Sequence, residues 1–219
     1  MTDPDPSLSQ HTDYGSERFD EQDLEDDPVV QFARWLTEAR DHGVYEPNAM
    51  VVGTVDAEGI LSSRSVLLRG VDERGFTFFT NRSSRKGRAI AERPVATLLF
   101  PWYALHRQVI VTGDVSWVSD EESDTYWAGR PRGAQLAGTV SRQSEPIASR
   151  DELERRVREL ESESPEGAIV PRPESWGGYR VAPWRIEFWQ GRTSRLHDRL
   201  VFTRNRSSRG EWTLERLQP

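Results

Sequence analysis

Five short β-type runs follow one another between residues 49 and 117, and their spacing limits the fold more than any other feature of the sequence. Turn residues separate most of the runs, as in Asp56-Ala57-Glu58-Gly59. Strands at roughly ten-residue spacing, with little helical sequence between them, are typical of an antiparallel barrel or sandwich. A parallel α/β sheet would need more helix between its strands. The five runs are Ala49–Val55, Ser63–Leu68, Phe76–Thr80, Val95–Phe100 and Gln108–Trp117.

Helical patterns precede and interrupt this β sequence. Asp27-Pro28 supplies an N-cap and a first-turn proline for a helix that stops near Gly43. A short helix is expected over 84–92, and capping boxes at Ser119 and Ser149 begin two more, the first of which Pro131 interrupts. The β pattern then resumes in the runs Tyr179–Val181, Arg185–Trp189, Leu200–Arg204 and Trp212–Leu217. The sequence therefore predicts a mainly β, α+β protein in which the later strands complete the same antiparallel barrel.

Charge divides the chain into a leader and a body. Residues 1–28 contain ten acidic residues and one arginine, so the net charge of −7 becomes +2 for the rest of the chain. We expect residues 1–26 to be an acidic, largely mobile leader, in which Tyr14 and Phe19 could dock on the body, and residues 27–219 to form a single domain. A nucleic-acid-binding protein would show a broader positive excess.

Other features of the composition bear on compartment and chemistry. The chain has no cysteine, which excludes disulfides, thiolate metal sites and a cysteine nucleophile. It has no apolar run near membrane-spanning length and no basic-then-apolar leader. We therefore expect a soluble protein that is made and kept in the cytoplasm.

The segment Arg64–Arg88 carries the densest positive charge on β-type sequence. Val66–Leu68 and Phe76–Phe79 flank a turn at residues 72–75, which indicates a β-hairpin. Outside the turn, which itself contains Arg74, six cations with interleaved hydroxyls suit a phosphate monoester, whose oxygens accept several charge-assisted hydrogen bonds. For such a cluster alone, a solvated basic turn or a small nucleic-acid patch is the more common meaning. The cations are Arg64, Arg69, Arg82, Arg85, Lys86 and Arg88.

Two further groups of residues have a pattern that suits anions. Tyr126 and Arg130 lie four residues apart and thus on one helix face, although such a pair alone is more often a surface contact. Arg195, His197 and Arg199 would share one face if the segment is extended. Taken alone, the second group is slightly better explained by a packed histidine between exposed arginines.

Eight motifs in order, from about Asp27 to Pro219, resemble the pyridoxine (pyridoxamine) 5′-phosphate oxidase family. Each motif alone is weak, but eight in register make chance similarity very improbable. They are Arg64-Ser65-Val66-Leu67-Leu68-Arg69, Phe79-Thr80-Asn81 with Ser84-Arg85-Lys86, Arg107-Gln108-Val109, Tyr126 with Arg130-Pro131-Arg132, Gln143-Ser144, Trp176-Gly177-Gly178, Glu187-Phe188-Trp189-Gln190-Gly191 and Arg195-Leu196-His197-Asp198-Arg199.

The resemblance implies a homodimer of six-stranded-type antiparallel FMN-binding split β-barrels, with the flavin in a cleft between subunits. By matching position it implies flavin contacts from both chains of the dimer. These residues are Arg64, Ser65, Val66, Leu67, Leu68, Arg69, Phe79, Thr80, Arg85, Lys86, Gln108, Gln143, Ser144, Trp189 and Arg199.

The resemblance also implies a substrate site and a reaction. Arg69, Tyr126, Arg130 and the position of Ala134 would hold the substrate's 5′-phosphate, with Tyr14 as a cover. Arg195 and His197 would be the catalytic pair, over the pyridine ring and its 3′-oxygen. The implied activity is FMN-dependent oxidation of pyridoxine or pyridoxamine 5′-phosphate to pyridoxal 5′-phosphate, with O₂ reduced to H₂O₂, and it requires neither metal nor thiol.

Three departures from the family pattern leave alternatives open. Arg69 stands where the family usually has lysine, Phe79 replaces a common tyrosine, and Ala134 replaces a serine that bonds the substrate phosphate. A related flavin oxidase of the phenazine-pathway type is the nearest alternative; Arg69 and Ala134 leave it open, whereas Tyr126, Arg130, Arg195 and His197 argue against it. A non-catalytic FMN- or pyridoxal-phosphate-binding protein is another, and nucleic-acid binding is a remote one.

Overall fold

A computed structural model describes residues 5–10, 12–163, 167–208 and 210–219, and these residues form two compact units. The first unit comprises Met1–Pro47, Leu99–Val111 and Trp184–Pro219, and the second comprises Asn48–Leu98 and Thr112–Pro183. None of the helices in the described ranges is long and apolar enough to cross a membrane.

The described residues contain five α-helices, nine strands and four short 3₁₀ segments. The helices are α1 Pro28–Asp41, α2 Arg85–Glu92, α3 Asp120–Ala128, α4 Arg132–Val140 and α5 Arg150–Glu163. The strands are β1 Ala49–Val55, β2 Leu61–Leu67, β3 Gly70–Asp72, β4 Gly75–Asn81, β5 Val95–Trp102, β6 Arg107–Trp117, β7 Trp176–Gln190, β8 Asp198–Thr203 and β9 Thr213–Arg216. The 3₁₀ segments are Pro6–Ser9, Glu21–Asp23, Tyr103–Leu105 and Thr193–Arg195.

All strands belong to one sheet of order β2-β1-β5-β6-β7-β4-β3, with β8 paired to β7 and β9 to β8. The ladders whose register is resolved are antiparallel. The predicted class, mainly β with helices, is confirmed. The strand order leaves the sheet open rather than closing it into a complete barrel.

The predicted hairpin is wrong in its first strand. Val66 belongs to β2, which pairs with β1 through Met50, whereas the hairpin is formed by β3 and β4. The chain changes partners at Leu68 and Arg69: the Leu68 amide donates to Asn48 O, and the Arg69 amide to Thr77 O. The single β-type run in the sequence therefore contains two strands, β2 paired with β1 and β3 paired with β4. Periodicity alone does not show where the first strand ends and the second begins.

In the second unit, caps and aromatic side chains fix the helices that follow the strands. Ser119 accepts from the Glu122 amide and Glu122 reciprocates, so the predicted capping box begins α3. Trp127, Leu136 and Trp176 form a buried cluster beneath α3 and α4. The sequence pattern does not predict α4, because a proline commonly ends a helix, whereas Pro131 occupies the position before the first turn of a new helix.

In the first unit, α1 begins where predicted, but its buried face differs from the apolar stripe Val29, Phe32, Ala33, Leu36 and Ala39 that helical spacing predicts, because Ala33 is exposed and Trp35 is buried. Asp27 Oδ1 accepts from the Val29 amide, and Phe32 and Trp35 are fully buried. Phe19 of the acidic leader is also buried and packs on Trp35 and Phe188, with ring centroids 4.8 and 6.5 Å apart. The prediction that an aromatic residue of the leader docks on the body is therefore confirmed for Phe19.

Strand β7 is longer than expected. The sequence suggests two runs separated at Pro183, but one strand continues through it. Its first part, to Val181, pairs with β4 and its last part, from Arg185, with β8. Pro183 lies between the stretch of β7 that pairs with β4 and the stretch that pairs with β8, so it interrupts neither of these two ladders.

Candidate functional site

A cavity of about 590 Å³ in the second unit collects most of the predicted flavin contacts. Strand β2, strand β4, the start of α2 and the segment after α4 all contribute to its wall. The lining residues are Ser62, Ser63, Arg64, Ser65, Val66, Leu67, Arg69, Phe79, Thr80, Arg85, Lys86, Tyr126, Arg130, Gln143 and Ser144.

Lys86 is the most buried cation of this cavity. The Ser84 side chain caps α2 and brings Lys86 inward, where Nζ donates to Gln143 Oε1 at 2.8 Å, Thr80 Oγ1 at 3.1 Å and Ser84 Oγ at 3.2 Å. All three acceptors are neutral. Burial, and then the charge of Arg64, lower the pKa of Lys86 to about 8. An anion bound here would gain the full attraction of a desolvated ammonium group.

Arg64 is fixed by the strand beside it. Its guanidinium donates to Val52 O and Thr54 Oγ1 at 2.9 Å and to Ser62 Oγ at 2.6 Å. Burial and the neighbouring Arg85 lower the pKa of Arg64 from its ordinary value. The guanidinium is therefore held without a neutralising carboxylate.

Five cations line the cavity, and none of them forms an ion pair with a carboxylate among the described residues. Elsewhere among the described residues, arginines do form ion pairs with carboxylates, as Arg172, Arg180 and Arg216 show. Lys86 is buried and Arg64 and Arg130 are half-buried, and cations in such positions without carboxylates predict an anionic ligand. The five cations are Arg64, Arg69, Arg85, Lys86 and Arg130.

Aromatic rings hold two of these cations in place. Phe79 stacks on Tyr126 with centroids 4.0 Å apart and planes 4° apart. The Arg69 guanidinium lies 5.8 Å from the Tyr126 ring centroid, and that of Arg130 lies 4.9 Å from the Trp176 centroid. The predicted Tyr126–Arg130 pair therefore shares one wall with Arg69.

Ala134, whose position was expected to contribute to the substrate-phosphate site, lies beside Arg130. It lines a neighbouring cavity of about 430 Å³ together with Arg130 and Gln143, and its carbonyl accepts from Arg130 Nη2 at 3.3 Å. Its methyl group offers no hydrogen bond where the family commonly has a hydroxyl.

Three residues of the basic segment lie away from the cavity. Leu68, a predicted flavin contact, is buried in the core. The Arg82 guanidinium lies 4.0 Å from the Trp117 ring centroid, and Arg88 donates to the Ser83 carbonyl on the outside of α2. The interpretation of the whole segment as one phosphate cradle is therefore wrong for Arg82 and Arg88.

The first unit holds the remaining predicted residues. His197 lies between Tyr14 and Trp189, with ring centroids 5.7 and 4.8 Å away. Its Nδ1 accepts from the Arg192 amide at 3.0 Å. Burial and the positive charge of Arg195 lower the pKa of His197, with Asp198 opposing them.

The segment around Arg195 is not extended. Residues 193–195 form a 3₁₀ turn, and Ser194 and Arg195 have φ of 57° and 60°, in the left-handed region. The face predicted to be shared by Arg195, His197 and Arg199 therefore does not exist. Arg199 lies in β8, where it pairs with Glu187 at 2.8 Å. Gln108 lies half-buried in β6.

Sequence reasoning did not name Ser62, and it named Ser84 and Trp176 only as members of motifs, with no contact assigned to them. Ser62 could have been found, since it lies two residues from Arg64 on the same strand face. The role of Ser84 follows from its position as the N-cap of α2. No local signal indicates that Trp176 lies under Arg130, because the two are brought together by the packing of β7 against α3 and α4.

Comparison with solved structures defines the class. PhzG from Burkholderia lata 383, in complex with tetrahydrophenazine-1-carboxylic acid, is 32% identical with a TM-score of 0.86 over 94% of this chain and all of that one. A pyridoxamine 5′-phosphate oxidase-related, FMN-binding protein from Nostoc punctiforme is 18% identical with a TM-score of 0.71 over 90% of this chain and all of that one. The fold is that of the FMN-binding split barrels related to pyridoxamine 5′-phosphate oxidase.

Comparison of sequences defines the family. The family model for pyridoxamine 5′-phosphate oxidase matches residues 36–163, and that for the pyridoxine 5′-phosphate oxidase C-terminal dimerisation region matches residues 176–219. A pyridoxine/pyridoxamine 5′-phosphate oxidase of Rubrobacter xylanophilus is 56% identical over 88% of this chain and 87% of that one. A pyridoxine/pyridoxamine 5′-phosphate oxidase of Burkholderia mallei is 50% identical over 95% of this chain and 96% of that one. The chain belongs to the pyridoxamine 5′-phosphate oxidase family.

Proposed function

We propose that this chain is an FMN-dependent oxidase that converts pyridoxine 5′-phosphate and pyridoxamine 5′-phosphate into pyridoxal 5′-phosphate, with O₂ as the electron acceptor and H₂O₂ as the second product. The observation that supports it is a cavity lined by five cations that have no carboxylate partner among the described residues, in a chain of this family. Both proposed ligands carry a phosphate monoester.

The residues present fit FMN. Lys86, Arg64 and Arg85 provide positive charge for its phosphate, and the Thr80 and Ser144 hydroxyls provide neutral hydrogen bonds at the same wall. When bound, FMN supplies a two-electron acceptor whose reduced form is reoxidised by O₂. These residues would hold the cofactor, and the Lys86 ammonium would bind its phosphate.

A second phosphate has its own set of donors. Arg69 lies over the Tyr126 ring and Arg130 over the Trp176 ring, and the Tyr126 phenol lines the same cavity as both arginines. The contact with Trp176 restricts the half-buried Arg130, so binding costs this side chain less conformational entropy. We assign them to the substrate's 5′-phosphate.

Arg195 and His197 are assigned to the substrate ring. Because His197 Nδ1 accepts from a backbone amide, the proton of the neutral imidazole lies on Nε2. The lowered pKa favours this neutral form at neutral pH. Nε2–H and the Arg195 guanidinium are then two donors for the 3′-oxygen of the pyridine ring, and together they orient the ring and stabilise negative charge on its oxygen.

We further propose that the active form is a homodimer with FMN at the subunit interface. The support is the match of residues 176–219 to the family's C-terminal dimerisation region. In such a dimer, Gln108, Trp189 and Arg199 would complete the flavin site.

The test is aerobic turnover of FMN-loaded protein with each of the two phosphorylated substrates, with pyridoxal 5′-phosphate and H₂O₂ measured together. Equal amounts of the two products from either substrate would support the proposal. Tight FMN binding without either product would contradict it and favour a non-catalytic flavin- or pyridoxal-phosphate-binding protein.

One observation favours a second candidate. PhzG, in complex with tetrahydrophenazine-1-carboxylic acid, shares 32% identity and the whole fold, and Ala134 removes a hydroxyl from the proposed phosphate site. A phenazine-pathway flavin oxidase would consume a reduced tricyclic carboxylate faster than either B6 phosphate. Arg69, Tyr126 and Arg130 favour the phosphorylated substrate.

A further inference from the structure

Part of the acidic leader lies directly on the loop that carries Arg195 and His197, here called the Arg195 loop (residues 191–197). Thr193 donates to Gly15 O from its amide at 2.8 Å and from its hydroxyl at 3.0 Å. Tyr14 packs so closely on Gly191 that a Cβ there would lie 2.9 Å from Tyr14 Cγ. The leader and the loop thus form one contact at Tyr14 and Gly15.

A second contact is ionic and lies at the other end of the loop. The Phe19 amide donates to Asp198 Oδ2 at 3.1 Å, and Arg216 Nη1 donates to Asp198 Oδ1 at 2.6 Å. The same guanidinium binds Glu21 through Nε and Nη2 at 2.9 Å and Asp20 through Nη2 at 3.1 Å. Arg216 therefore joins the leader to the residue that follows His197.

Asp198 also connects this cluster to the interior of the loop. Its carboxylate is buried and lies 3.5 Å from Arg192 Nη1, and the Arg192 amide is the donor to His197 Nδ1. The loop contains two non-glycine residues in the left-handed region. Such a conformation persists only where surrounding contacts enforce it. The contacts with the leader and with Asp198 do so at both ends of the loop.

We propose that Arg216, with Asp20 and Glu21, is a latch that holds the leader on the Arg195 loop, and that Arg216 is thereby a positioning residue for Arg195 and His197. This inference rests on the proposed function for its effect on turnover. It also gives the leader's negative charge a role, because two of its acids are the partners of Arg216.

The latch stays charged at neutral pH. The Arg216 guanidinium lowers the pKa of Glu21 to about 2, and Glu21, then Asp198, raise the pKa of Arg216. The Asp20 and Glu21 side chains are half exposed, so salt screens this part of the latch, whereas the Arg216–Asp198 pair is more protected.

The experiment compares the full-length wild type with Arg216→Gln and Arg216→Lys, by hydrogen exchange of the free protein and by turnover of the FMN-loaded protein. In Arg216→Gln, the amides of Phe19, Arg192 and Thr193 should exchange at least about tenfold faster. The kcat should fall about tenfold, with the Kd for FMN unchanged within about twofold. Arg216→Lys should recover most of both losses.

A matched control acts on the same leader away from the loop. Arg34 lies in α1 and forms an ion pair with Glu25 of the leader, with Arg34 Nη1 2.9 Å from Glu25 Oε1. Arg34→Gln should leave the exchange of Arg192 and Thr193 and the kcat as in the wild type. If Arg216→Gln does not fold, the double variant Asp20→Asn/Glu21→Gln removes the leader's side of the latch and keeps the Arg216–Asp198 pair.

Unchanged exchange at Arg192 and Thr193 in the latch variants would overturn the latch. Faster exchange with unchanged kcat would overturn the positioning role. If the wild type oxidises neither B6 phosphate, the proposed function fails, and the exchange of the free protein still decides whether the latch holds the loop.

Discussion

The cavity of the second unit and the Arg195 loop of the first unit are both rich in arginine, but they differ in whether those arginines form ion pairs with carboxylates. In the cavity, five cations have no carboxylate partner among the described residues. Around the loop, four arginines pair with the buried carboxylates of Glu187 and Asp198. Of the five arginines Arg185, Arg192, Arg195, Arg199 and Arg216, only Arg195 makes no ion pair with a described carboxylate.

This difference indicates that the cavity binds a ligand, whereas the paired arginines around the Arg195 loop stabilise its structure. Cations without internal partners gain from an anionic ligand, whereas cations already paired with buried acids hold the local structure. Arg195 is the exception that the proposed mechanism needs, since its guanidinium remains available to a substrate. Carboxylate partners therefore separate most binding arginines from supporting ones, and Arg199, which pairs with Glu187 and is proposed to complete the flavin site, would serve in both roles.

The largest expected effect is the loss of a buried acid beside the loop. Glu187 is 3% exposed and pairs with both Arg185 and Arg199. Glu187→Gln should lower the free energy of unfolding by about 3 kcal/mol, because two cations lose their buried partner. Denaturant unfolding measures this change. Glu159→Gln, from an exposed pair on α5, should cost less than about 0.5 kcal/mol, and equal losses in the two variants would contradict the comparison.

Removing a cation from the cavity should act on the ligand instead. Lys86→Met should raise the Kd for FMN about tenfold to a hundredfold, as expected for a lost hydrogen bond to a charged group. The stability of the protein without FMN should not fall, because the ammonium is desolvated beside Arg64. Flavin titration and thermal unfolding measure the two quantities. Arg88→Met on the outside of α2 is the control, and a similar Kd for wild type and Lys86→Met would contradict the assignment.

The pH dependence of flavin binding follows from the same residue. The pKa of Lys86 is lowered to about 8, so its cationic form predominates below pH 8 and is lost above it. The cation is the form that binds phosphate, so FMN affinity should fall about tenfold between pH 7 and pH 9. Lys86→Arg keeps its charge over this range and should flatten the profile. A profile equally steep in both proteins would assign the titration to another group.

The smallest expected effect concerns the substrate phosphate. Ala134→Ser should return one hydrogen bond beside Arg130 and lower the KM for the phosphorylated substrates about threefold to tenfold, with little change in kcat. Steady-state kinetics test it, with Ala128→Ser on the exposed end of α3 as the control. A higher KM would mean that this wall does not face the substrate phosphate.

Local signals were sufficient to predict much of the fold. The cap at Asp27, the capping box at Ser119 and the alternation along β1 each depend on residues within one turn or one strand. The predictions that were wrong concern elements whose partners are distant in sequence. Nothing near Leu68 shows that the strand before it pairs with β1 and the strand after it with β4, and nothing near Pro131 shows that α4 follows.

The same division applies to the site. Arg64, Arg85 and Lys86 could be predicted from charge on β-type sequence, and the structure brings them to one cavity. The absence of carboxylate partners there could not be predicted, because it depends on which acids the fold brings near. The left-handed turn at Arg195 was also hidden, since no glycine marks it.

The central claim is that the cavity binds the flavin and the Arg195 loop acts on the substrate. The most direct test is the double variant Arg195→Met/His197→Asn, with FMN affinity and aerobic formation of pyridoxal 5′-phosphate measured on the same preparation. The account predicts an FMN Kd within about twofold of the wild type and turnover reduced at least about a hundredfold. Unchanged turnover, or a flavin affinity that falls together with it, would contradict the account.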